Sequence, residues 1–87
     1  MKMDKITESY IDSILHNSQI HMTNSRMSCA MTVTLPNGFV LTSTYPFFEE
    51  EPGSLLLEKA RQYCTADIRN RIRELEAYHL LSMQAMA

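Results

Sequence analysis

The sequence predicts an α+β fold: a short N-terminal helix, an antiparallel β-hairpin or small sheet, and a long C-terminal helix packed on it. Three observations favour this fold. Apolar residues recur at helical spacing near the N-terminus, two β-rich runs flank Asn37-Gly38, and a long helical stripe extends from Leu57 to Leu75. With 87 residues, the chain is predicted to form a single domain, residues 1–87.

The short helix is predicted over residues 6–17, because apolar side chains recur there at every fourth position. Those positions are Ile6, Tyr10 and Ile14, and Ile11 and Leu15 widen the same stripe. Either Thr7 or Asp4 is expected to cap the start of the helix. A polar connector follows over residues 18–26, and its alternating pattern leaves room for a short strand.

The hairpin is predicted with arms at residues 28–35 and 38–44. Asn37 and Gly38 lie between them, and this dipeptide best adopts the positive φ angles of a two-residue turn. We therefore assign both residues a structural role in the turn rather than a role in ligand binding. Strand alternation places two apolar pairs on shared faces: Val33 with Leu35, and Phe39 with Leu41.

The long helix is predicted to begin near Ser54, as its N-cap, and to continue to about Leu75 or beyond. Its apolar stripe consists of Leu57, Cys64, Ile68, Ile72 and Leu75. A helix of about 22 residues is roughly 33 Å long, whereas a compact domain of this size has a radius of gyration of about 12 Å. The helix should therefore extend past its own domain, which predicts a homo-oligomer in which a second chain covers the rest.

The composition excludes several classes of protein. The net charge of −2 and the pI near 5.8 give no general attraction to nucleic acid or to anionic membranes. No apolar run approaches the roughly 20 residues of a membrane helix, and the first residues do not resemble a signal peptide, so a cytosolic protein is expected. Cys29 and Cys64 are expected to be reduced, partly buried thiols, with a disulfide as the alternative.

Two motifs carry a family resemblance. Leu-Pro-Asn-Gly-Phe at residues 35–39 and Leu-Glu-Ala-Tyr-His-Leu at residues 75–80, after a long helix, resemble the gp-forty-nine-like family of small tailed-phage accessory proteins (phage N-four and phage Sf-six gene sixty-six type). The resemblance covers about residues 10–81. The family often has Trp-Pro where this chain has Arg73-Glu74, so the helix is expected to continue through this point here.

The resemblance implies a phage or prophage origin and action in the bacterial host cytoplasm. It implies no enzymatic activity and no cofactor, since the family offers no catalytic residues that match this chain. It implies a non-catalytic accessory protein that acts by binding, and the expected partner is a bacterial defence component or host regulatory protein. This expectation comes from what small phage proteins commonly do and not from the residues of a binding site.

Two groups of side chains are candidate binding residues. Arg69, Arg71 and Arg73 lie on the long helix, and Arg71 falls within its apolar stripe, where a charge needs a partner. That partner is Asp67, a carboxylate of another subunit, or an anionic ligand. The second group is an aromatic loop of Tyr45, Phe47 and Phe48, next to three glutamates. The loop either forms a partner surface, or Phe47 or Phe48 packs under the hairpin as core.

No metal or catalytic site is predicted. His16, His21 and His79 lack metal-ligand spacing with one another and with the cysteines. There is no glycine-rich phosphate loop and no nucleophile motif. Two alternatives to a protein-binding function remain: an oligomeric sponge that sequesters a small anionic signalling nucleotide between subunits, and a small nucleic-acid-binding module, which the acidic pI disfavours.

Overall fold

The computed structural model describes residues 7–47 and 53–86. In chain order its elements are α1 (Glu8–His16), β1 (Gln19–Asn24), β2 (Ser28–Thr34), β3 (Val40–Pro46) and α2 (Gly53–Met86). The strands form one antiparallel sheet in the order β1-β2-β3. The predicted α+β fold is therefore confirmed, and the polar connector of the sequence contains a complete edge strand.

Helix α1 is capped by Thr7, whose hydroxyl oxygen accepts a hydrogen bond from the N–H of Tyr10 at 3.1 Å. The alternative cap, Asp4, lies outside the described residues. Ile11 is fully buried, whereas Tyr10 lies at the surface. Within the predicted stripe, Ile11 therefore faces the core, and Ile14 and Leu15 pack partly buried beside it, while Tyr10 forms its exposed edge.

The sheet has one apolar face and one polar face. Met31 of the central strand stands opposite Met22 of β1 and Ser43 of β3, so these side chains share the inner face. Val33 and Leu35 are both buried on that face, as predicted. Phe39 is not: it lies before β3 begins and is about half exposed, while Leu41 is buried.

The turn between β2 and β3 differs from the predicted two-residue turn. Among the described residues only Gly38 has a positive φ, 93°, so Asn37 does not adopt the conformation that a type I′ turn requires. The N–H of Gly38 donates to the carbonyl of Leu35, and the N–H of Leu35 donates to the carbonyl of Phe39, each at 2.8 Å. The loop therefore has three residues, with Pro36 in its first position, where its fixed φ is favourable.

Helix α2 crosses the sheet on the inner face of β2 and β3. Its buried side chains recur every four residues: Ala60, Cys64, Ile68 and Ile72. The predicted stripe was too long, because Leu57 and Leu75 at its two ends are exposed. The prediction of Ser54 as N-cap was also wrong, since the helix already begins at Gly53.

The length of α2 exceeds the size of the sheet. Its 34 residues correspond to about 51 Å, whereas a seven-residue strand spans about 23 Å. The molecule is elongated accordingly, with extents of 52 × 22 × 20 Å. From Arg73 to Ala85 no side chain of α2 is buried. We call residues 73–86 the C-terminal overhang.

Both cysteines are buried and free. The Cys64 thiol donates to the carbonyl of Ser43 at 3.6 Å, and burial raises the pKa of the Cys29 thiol. Two free, buried thiols agree with the expectation of reduced cysteines.

Replacing Gly38 tests the turn. An added Cβ meets nothing within 4 Å, so the cost of Gly38→Val comes from forcing a β-branched residue to positive φ. We expect a loss of about 1–3 kcal/mol in the free energy of unfolding, measured by urea denaturation. Gly38→Asn is the control and should lose less, because asparagine tolerates positive φ. Equal stability of wild type and Gly38→Val would contradict the assigned turn.

Candidate functional site

Arg69 and Arg73 attach α1 to α2. The guanidinium of Arg69 bonds Asp12 at 2.5 Å and also pairs with Glu8, and Arg73 pairs with the second carboxylate oxygen of Glu8. Arg73 also donates to the side chain of Asn70 at 2.8 Å. The hydrogen bond from Arg69, followed by the charge of Arg73, lowers the pKa of Glu8. Two of the three candidate arginines therefore have partners within the chain.

Arg71 attaches α2 to the sheet. Its guanidinium donates to the carbonyl of Thr42 at 2.7 Å and lies 3.5 Å from the carboxylate of Asp67. Asp67 in turn accepts a hydrogen bond of 2.7 Å from the buried hydroxyl of Ser43. Of the three partners that the sequence left open for Arg71, the structure contains the Asp67 pair. The three arginines therefore do not converge on one point: they serve two separate contacts.

The aromatic residues of the predicted loop also have different surroundings. Tyr45 belongs to β3, is partly buried against the core, and its ring lies 5.3 Å from that of Tyr63 at a tilt of 51°. Phe47 is partly buried, and its N–H donates to the carbonyl of Met27 at 2.8 Å. Phe48 lies outside the described residues. The packing alternative named Phe47 or Phe48, yet in this loop it is Tyr45 that packs against the core.

Several large apolar side chains of the C-terminal overhang are exposed. Tyr78 is 73% exposed, Leu81 54% and Met83 50%. From Leu75 to Met86 the sequence carries one charged residue, Glu76. A helix end in water is usually polar over most of its surface, so this composition is unusual. The low charge of this segment was a signal available in the sequence.

A cleft of about 350 Å³ opens where the overhang leaves the body of the protein. It is lined by Tyr10, Asn37, Phe39, Leu75, Glu76 and His79. The phenol of Tyr10 donates to the Glu76 carboxylate at 3.2 Å, and the side-chain oxygen of Asn37 accepts from the N–H of Phe39 at 3.0 Å. Asn37, predicted only as a turn residue, thus lies at the margin of a concave surface.

Comparisons with protein-family models, with curated proteins and with solved structures found no match. The resemblance to the gp-forty-nine-like family therefore stays a prediction. Among the described residues, no group of histidine, cysteine, aspartate and glutamate side chains is arranged to hold a metal ion, and none of their helices is long and apolar enough to cross a membrane.

The contact between α1 and α2 should depend on pH. Because the pKa of Glu8 is lower in the folded state, its contribution to stability is present above the ordinary glutamate range and is lost as pH falls through the folded pKa. Glu8→Gln should lower the melting temperature at about pH 7, and its difference from wild type should shrink toward about pH 3. Glu74→Gln is the control. A difference that stays constant over this range would contradict the assignment.

Arg71→Met tests whether this arginine is structural. Methionine keeps most of the apolar stem but removes the contacts with Thr42 and Asp67. Because Arg71 is about half exposed, we expect a loss of only about 1 kcal/mol, measured by urea denaturation. Arg61→Met, on the exposed side of the same helix, should have a smaller effect. Unchanged stability of Arg71→Met would return Arg71 to the list of candidate binding residues.

Proposed function

We propose that this protein is a non-catalytic phage accessory protein that acts by binding a bacterial host or defence protein through the apolar surface of its C-terminal overhang. The observation that carries the proposal is the exposure of Leu75, Tyr78 and Leu81 on a helix end with a single charged residue. The resemblance to small phage accessory proteins supplies the class of partner.

The overhang has the chemistry of a helix that docks on another protein. Full burial of a large apolar side chain contributes about 1.5–3 kcal/mol, so several such residues can supply a useful binding free energy. At 100° per residue, Leu75, Tyr78 and Leu81 fall within about 120° on one side of the helix. Side chains on one side of a helix can enter an apolar groove of a partner together.

The nucleotide-sponge alternative has weaker support. A sponge needs cationic side chains that converge on the phosphates of its ligand. Here Arg69 and Arg73 bind the acids of α1, and Arg71 binds the sheet. An anionic ligand would have to displace these contacts before it gained its own.

The nucleic-acid alternative is also weaker. Sheets that bind single strands present aromatic and basic side chains to stack bases and to contact phosphates. The outward face of this sheet instead carries threonines on all three strands. Its paired positions include no phenylalanine, tyrosine, lysine or arginine, and one histidine: Gln19, His21, Thr23, Ser28, Ala30, Thr32, Thr34, Val40, Thr42, Thr44 and Pro46.

Self-association is part of the proposal, because apolar side chains lie on more than one side of the overhang. Leu80 and Met83 lie on a different side of the helix from Tyr78 and Leu81. A second copy can pack against one side while a partner occupies the other. We therefore expect an oligomer at micromolar concentration, and two readouts are needed to separate the two contacts.

The double variant Tyr78→Ser/Leu81→Ser tests the partner surface. Binding to a host protein recovered from infected cells and then purified should weaken at least ~10-fold, because both anchors are removed. The control is Leu57→Ser, which removes an exposed leucine from the other end of the same helix. Circular dichroism should report an intact helix for both variants.

Sedimentation equilibrium of the same proteins provides the second readout. Weakened partner binding with an unchanged oligomer mass supports the proposal. A fall from oligomer to monomer near 10.0 kDa with partner binding retained would assign this side to self-association and overturn the proposed partner surface. Equal partner binding by wild type and the double variant would overturn it as well.

A further inference from the structure

The cleft at the base of the overhang joins three separate parts of the chain. Tyr10 comes from α1, Asn37 and Phe39 from the hairpin loop, and the remaining lining residues from α2. The cleft therefore exists only in the folded protein, and it lies beside the surface proposed for partner binding. Its chemistry is consequently relevant to what the partner presents.

Glu76 is the one carboxylate of the cleft. It is partly buried and accepts a hydrogen bond from the Tyr10 phenol at 3.2 Å. In the part of the chain that the structure describes, no lysine or arginine pairs with it, whereas Glu8, Asp12 and Asp67 all pair with arginines. A phenol satisfies a carboxylate oxygen but does not neutralise its charge.

The negative charge of Glu76 also affects the pKa of Tyr10. Burial, followed by the negative charge of Glu76, raises the pKa of the phenol. Glu76 thus provides a negative potential in a cleft that is partly screened from water. A carboxylate in such surroundings favours a cationic partner.

The walls of the cleft determine which cations fit. Tyr10 and Phe39 are aromatic and about half exposed, and Leu75 adds an apolar side chain. Aromatic faces attract cations, and apolar walls accommodate the alkyl stem of a long cationic side chain. A guanidinium suits this combination best, because it stacks on aromatic rings and can form two parallel hydrogen bonds with a carboxylate.

We propose that this cleft binds the guanidinium of an arginine side chain presented by the protein that docks on the overhang. The inference rests on the proposed function for the source of the arginine. The recognition chemistry, a guanidinium held by Glu76 between Tyr10 and Phe39, belongs to the cleft alone. The partner surface is therefore apolar with a basic residue at its edge.

The direct test uses a small probe rather than the partner. n-Butylguanidinium is titrated into isotopically labelled protein, and amide chemical shifts are followed by NMR; n-butylurea, a neutral analogue of similar shape, is the matched probe. We expect saturable shifts at the residues lining the cleft, with affinity in about the millimolar range for so small a ligand. Shifts of equal size with n-butylurea would overturn the proposal.

Two variants locate the charge that the probe recognises. Glu76→Gln keeps an oxygen that can accept the hydrogen bond from Tyr10 but removes the charge. It should weaken binding of n-butylguanidinium at least ~10-fold. Glu74→Gln, the same substitution two residues earlier on the same helix, should change affinity less than about twofold. Phe39→Leu removes an aromatic ring from the wall of the cleft and leaves Glu76 unchanged. It should also lower the affinity for the probe. Unchanged affinity in Glu76→Gln would overturn the proposal.

The outcomes separate this inference from the proposed function. The probe titration requires no partner, so it decides the chemistry of the cleft even if Tyr78→Ser/Leu81→Ser leaves partner binding intact. Conversely, Tyr78→Ser/Leu81→Ser can lose partner binding while Glu76→Gln keeps the wild-type affinity for the partner. That result would support the overhang surface and overturn the arginine contact.

Discussion

The packing of α2 on the inner face of β2 and β3 is the constraint on which the other features depend. Between Ala60 and Ile72 the helix buries one side chain per turn over about 18 Å. Ala60 and Cys64 are small enough for close approach to the sheet, and Ile68 and Ile72 fill the wider space beyond. The hydrogen bond from the buried Ser43 hydroxyl to the Asp67 carboxylate fixes the helix along the strand, because breaking it would leave a buried donor unsatisfied. A straight helix held over only this length must leave a free end.

The sequence predicted the order and type of the elements well. The alternation of β2 and the four-residue repeat of α2 are strong local signals, because each places its apolar side chains on a single face. The absence of proline at Arg73-Glu74 correctly predicted that the helix continues. The stripe alone did not reveal where tertiary contact ends: Leu57 and Leu75 have the correct helical phase, but the sheet is too short to reach them. The turn was mispredicted because Pro36 shifts the loop by one residue, and only Gly38 needs positive φ.

Site residues were harder to predict, because their partners are distant in sequence. Arg69 and Arg73 share a ridge, but nothing local indicated that Glu8 and Asp12 would lie opposite them. The contact matters because α1 has only nine residues and an isolated helix of that length is unstable in water. The cleft likewise combines three segments, and only the tertiary fold brings Phe39 to Glu76. In contrast, the low charge of the overhang can be read directly from the sequence.

The continuity of α2 through Ile72 has a thermodynamic consequence for recognition. Beyond that residue no side chain up to Ala85 is buried, so the order of the helix end depends chiefly on main-chain hydrogen bonds and on intrinsic helix propensity. A partner that binds this end must also order the frayed last turns of the helix. The free-energy cost of ordering them offsets part of the binding free energy. Ala77 and Ala85, the best helix formers in this segment, therefore lower the entropic penalty of association without needing to contact the partner. If the overhang binds a partner as proposed, the affinity is thus set partly by residues outside the interface.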